Sequence, residues 1–110
     1  ALHYVEIALE AGKQSYKLRR ANAYSMRGRI LEAIDAKNPE AEESFRQATL
    51  ELADTHRIGA RIGAHVRLGH HLLKIGKIAE SELELEQARQ LSDLVSASAP
   101  AVSVEDITLL

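Results

Sequence analysis

The chain of 110 residues has room for one domain, and 45% apolar with 27% charged residues suits a folded chain better than a disordered one. Cysteine is absent, which excludes disulfides, thiolate nucleophiles and cysteine-based zinc sites, and a net charge of −2 gives no bulk attraction for nucleic acid or membrane. Two prolines, six glycines and only Tyr4, Tyr16, Tyr24 and Phe45 as aromatics leave little for a strand-and-turn protein. No apolar run approaches the roughly 18 residues of a membrane span and no secretory signal opens the chain, so a helix-rich cytoplasmic domain is expected.

In chain order, residues 1–14 are expected to form a first helix and residues 17–36 a second, with Leu18, Ala21, Ala23, Tyr24, Gly28, Leu31 and Ile34 at broadly helical spacing. Asn38-Pro39-Glu40 opens a third. Asn accepts from orphan amides, Pro sits where its missing N–H is harmless, and Glu meets the positive end of the dipole. This helix is expected to run to about Ala53, with Asp54 or Thr55 capping a fourth that carries Ile58, Ile62, His65, Val66, Gly69, Leu72 and Leu73. Gly76 stops the fourth, flanked by Lys74 and Lys77, and a fifth spans roughly 78–97. Residues 98–110, with Pro100 and a short apolar end, read as a linker and tail.

The chain matches itself at a shift of 40 residues. Ala1, Val5 and Ala8 recur as Ala41, Phe45 and Ala48, and again as Ser81, Leu85 and Ala88, always one small residue, a large one four later and Ala three further. That spacing puts each set on one helical face. Gly28 and Leu31 recur as Gly69 and Leu72, 41 residues on. Two motifs alternating at a common period define an internal repeat of helix pairs.

These residues resemble the tetratricopeptide repeat family. Leu68-Gly69, Leu72, Gly76, Ser81, Leu85 and Ala88 follow its signature, as do Tyr24, Gly28, Leu31, Ala41, Phe45 and Ala48, with Arg27 where the family has Leu. The period of 40 or 41 is longer than the family's usual 34 or so, and is similar to the helical arrays of large bacterial signalling and transcription regulators. The resemblance implies an all-α superhelix of antiparallel hairpins with about five helices. It divides the chain into a half repeat at 1–15, a repeat at 16–55 and another at 56–97. Gly28 and Gly69 are expected to let hairpin partners approach where Ala48 and Ala88 face them, with Phe45 and Leu85 filling the wider gap between hairpins.

No catalytic constellation, phosphate loop or dinucleotide motif is present, and the chain reads as a non-enzyme. His65, His70 and His71 lack the spacing of a metal site and segment 57–77 holds no acid, so no metal or cofactor is expected and these histidines read as surface or groove-lining. Charge alternates in blocks, net +3 over 1–38, −4 over 39–56, +5 over 57–77 and −6 over 78–110. One account is attraction between neighbouring helices of opposite charge. The other rests on the resemblance, in which first helices line a concave groove. That groove would present Asn22, Ser25, Met26, Arg29, Glu32, Arg67, His70, Leu73 and Lys74, with the basic members suited to an acidic peptide or a phosphate-bearing ligand. Arg29 and His70 stand where the family's peptide-carboxylate clamp has Asn, so a chaperone-tail adaptor is not implied.

The function expected is therefore a protein–protein interaction or scaffold module, a fragment of a larger regulatory protein. The alternative is a ligand-sensing domain controlling an attached output domain. The partner is expected to be a protein or peptide and not nucleic acid or membrane, since acidic second helices oppose the one and stacking aromatics are scarce. Open repeat ends are expected to be covered by a second copy or by the rest of a longer chain.

Overall fold

The computed structural model describes residues 2–98, and nearly all of them are helical. Four helices follow one another: α1 (Leu2–Ile34), α2 (Pro39–Leu52), α3 (Ile58–Lys74) and α4 (Ile78–Ser98). The expected tail after Ser98 lies outside the described residues. None of the four helices is long and apolar enough to cross a membrane.

Where the sequence carries a local signal, the helix ends follow it. Asn38 accepts from the Glu40 amide at 2.9 Å and Pro39 occupies the first turn of α2. Gly76 takes φ +85°, and the bonds Lys77 N–H to Leu72 C=O at 2.8 Å and Gly76 N–H to Leu73 C=O at 3.1 Å close α3 in a Schellman turn. The predicted cap at Asp54 or Thr55 does not form. Arg57 precedes α3 without a side-chain cap, and Thr55 is buried, donating to the Leu52 carbonyl at 2.8 Å.

The first expected boundary is also absent. Residues 1–14 and 17–36 were to be separate helices, yet α1 runs unbroken for 33 residues, which gives four helices among the described residues in place of about five. Residues 11–20 contain one glycine and no proline or turn pair, and a lone Gly costs only about 1 kcal/mol in a helix. Nothing local stops the helix there.

Packing follows from the pairing of residues. Lys17–Asp54 at 2.5 Å, Arg20–Glu51 at 3.0 Å and Arg27–Ser44 at 2.6 Å run in opposite directions along α1 and α2, so the two are antiparallel. His65–Glu84 at 2.7 Å and Gly69–Ser81 at 2.7 Å do the same for α3 and α4. Across the pairs, Ser15–Arg57 and Glu32–Lys74 set α1 parallel to α3. Lys17, Arg20 and Arg27 of basic α1 thus meet acids of α2 and of the turn after it, the packing account of the alternating blocks. Such half-exposed pairs are worth a few tenths of a kcal/mol to about 1 kcal/mol each.

The core is small and made of two clusters. Ala21, Ala48, Leu52 and Ala64 join α1, α2 and α3, while Phe45, Leu68 and Leu72 join α2 to α3. The glycine contacts differ from the expectation. A Cβ on Gly28 would lie 3.0 Å from the Phe45 ring and one on Gly69 would lie 2.9 Å from Leu85, so the glycines face the large residues of the motif and not Ala48 and Ala88. Phe45 fills both spaces, meeting Gly28 within the first helix pair and α3 beyond it. Arg27, in place of the Leu of the other unit, turns its guanidinium to Ser44 Oγ and Glu40.

Candidate functional site

Where α1 and α3 run side by side over α2, a cavity of about 180 Å3 opens, lined by Arg29 and Glu32 of α1, Phe45 of α2, and Arg67, His70, His71 and Lys74 of α3. Arg29, Glu32, Arg67, His70 and Lys74 are all groove residues expected from the sequence, and the fold brings these five together. Asn22, Met26 and Leu73 are exposed but outside the lining, and Ser25 is buried against the core. Phe45 and His71 are the additions. Phe45 read as packing between hairpins, and His71 as a surface or groove histidine.

His71 is the centre of the arrangement. Its side chain is 0% exposed, its ring tilts over Phe45 at 5.1 Å, and Nδ1 lies 2.7 Å from a Glu32 carboxylate oxygen. An ionised carboxylate only accepts, so Nδ1 carries the hydrogen. Nε2, on the other side of the ring, is buried without a hydrogen-bond partner. The second Glu32 oxygen accepts from Lys74 Nζ at 2.7 Å. The acid that segment 57–77 lacks is thus supplied from another helix, and the same happens at His65, which meets Glu84 of α4 at 2.7 Å.

Burial alone would push the Glu32 carboxyl up, but the hydrogen bonds and charges of Lys74 and His71 outweigh it and hold the group below its ordinary value of 4.5. Glu42 is held down in the same way by Lys77 and Arg46. A carboxyl with a lowered folded-state pKa binds fewer protons folded than unfolded. Its contribution is complete above about pH 4.5 and disappears as the pH falls through the folded-state value. Melting temperature is therefore expected to fall with acid, and Glu32→Gln to flatten that fall. A gap between wild type and Glu32→Gln that stays constant from about pH 7 to about pH 3 would remove Glu32 as a source of acid sensitivity.

Arg29 and Arg67 make no hydrogen bond or ion pair with the described residues, unlike Arg20, Arg27, Arg46 and Arg89, which are all paired with carboxylates. The cavity so presents two free guanidiniums, an ammonium shared with Glu32, and an exposed imidazole at His70, set against one carboxylate. Such a set can hold an oxyanion through charge-assisted hydrogen bonds. Among the described residues no three of His, Asp and Glu gather as a metal site would require. Comparison with family models, curated proteins and solved structures finds no match for the chain.

Proposed function

We propose that the chain is a tetratricopeptide-like interaction module, part of a larger cytoplasmic regulatory protein, that takes an acidic segment of a partner into the groove between α1 and α3. The observation that carries this reading is the pair of free guanidiniums, Arg29 and Arg67, brought from two helices to one cavity while the other arginines named above are paired. The helix pairs support the module reading. α1 lies antiparallel on α2 and α3 on α4, and each pair is offset from the other by about the period of the sequence repeat. At about 180 Å3 the cavity accommodates an acidic side chain or a terminal carboxylate, and the rest of the segment would lie along the exposed faces of Asn22, Met26 and Leu73.

A fluorescein-labelled hexaglutamate peptide tests this. Its affinity is expected to fall with salt, and Arg67→Glu is expected to weaken it by about tenfold or more, the equivalent of about 1.4 kcal/mol. Arg67 is exposed, so helix content and melting should hold in the variant. Peptide binding that survives both Arg67→Glu and Arg29→Glu would sink the groove assignment. A rise in melting temperature with inorganic phosphate but not with peptide would favour the ligand-sensing alternative.

A further inference from the structure

α1 is apolar on two opposite faces. Ala21, Ser25 and Gly28 are buried against the neighbouring helices. On the far side Val5, Leu9, Tyr16, Met26, Ile30 and Ile34 form a stripe at spacings compatible with one helical face, with Gly12, Arg19 and Ala23 between them, and every member is exposed, Leu9 to 69% and Ile34 to 77%. A helix of 33 residues is about 50 Å long, and the stripe follows it from Val5 to Ile34.

The repeat shows what kind of element covers such a face. Shifted by 41 residues, Ala23, Ile30 and Ile34 become Ala64 and His71 of α3 and Ile75 at its C-cap, and there α2 lies on them through Phe45, Ala48 and Leu52. Shifted by 40, Phe45 and Ala48 become Val5 and Ala8 of α1 itself. One helix thus carries both the covering motif and the face it fits, and being unbroken it does not fold the first onto the second.

We infer that a second copy of this chain docks here, the two α1 helices lying antiparallel so that residues 3–13 of each cover residues 20–30 of the other. Setting Val5 over Ile30 and Ala8 over Ala23, as Phe45 sits over His71 and Ala48 beside Ala64, puts the two-fold axis beside Tyr16. The contact is isologous and closes at two copies. The face shares Met26 with the path proposed for the rest of the peptide but includes none of the cavity-lining residues, so mass and cross-linking test it apart from peptide binding.

The chain has no cysteine, which makes a single introduced one a clean probe of the axis. Light scattering is expected to give a dimer mass, and mild oxidation of Tyr16→Cys to give a covalent dimer, while Gln87→Cys on the exposed side of α4 stays monomeric on a denaturing gel. Leu9→Asp and Ile30→Asp change side chains that are exposed in the single chain, so both should keep the helical circular dichroism and shift the mass to a monomer. A monomer mass for the wild type overturns the proposal. So does a dimer that fails to cross-link at position 16, that cross-links at 87 instead, or that persists in both aspartate variants.

Discussion

Truncating Phe45 to alanine should lower folding stability by about 3–4 kcal/mol, the lower part of the range for a buried ring. Phe45 is 3% exposed, packs with Leu68 and Leu72, tilts against the His71 ring and lies over Gly28, so a single side chain joins α1, α2 and α3. The facing residues cannot close the gap, because Gly28 has no side chain to move and His71 is tied to Glu32. The loss should also reach the groove, since Phe45 and His71 both line it. Urea unfolding of Phe45→Ala beside Phe45→Leu measures this. A loss below about 1 kcal/mol in the alanine variant would mean that the ring is not the joint between the helix pairs.

The second large effect is expected at Gly69. A Cβ there would stand 2.9 Å from Leu85 Cγ and Cδ2 and 3.5 Å from the Ser81 carbonyl oxygen. The approach is also what lets Ser81 Oγ donate to the Gly69 carbonyl at 2.7 Å in a buried position. Alanine at 69 displaces only the end of a half-buried leucine and gains helix propensity of about 1 kcal/mol, so Gly69→Ala should stay within about 1 kcal/mol of wild type. Leucine has no such outlet. It must push α4 away, break the Ser81 bond and leave a buried hydroxyl without its partner, which together should cost about 3 kcal/mol or more. Gly28→Leu is the matching test against the Phe45 ring, which is confined on more sides. Unchanged melting in both leucine variants would show that these helices do not approach as closely as the glycines imply.

Both predictions rest on residues whose importance was visible in the sequence and whose partners were not. The repeat singled out Gly28, Gly69, Phe45 and Leu85. Periodicity tells which residues share a face of one helix, but the offset between two packed helices is set by how ridges interlock, and a shift of one turn exchanges Ala48 for Phe45. The groove was legible for a similar reason. Arg67, His70 and Lys74 lie on one face of α3, Arg29 stands at the repeat position of His70, and the parallel run of α1 beside α3 brings them together. His71 and its bond to Glu32 were not legible, because the two are 39 residues apart and nothing local to either announces the other.

Sequence alone determined the helical class, the start of α2, the close of α3, and the alternation of basic and acidic helices. Each of these is local: a cap, a proline, a left-handed glycine or a charge acts within a few residues of itself. Only the tertiary structure decided that Gly28 meets Phe45 and that a buried histidine takes its carboxylate from another helix. Those outcomes depend on which faces come together in space. The opening inventory of 110 residues, four aromatics and a charge of −2 could not show that one of those aromatics would join three helices, or that two arginines would be left free beside it.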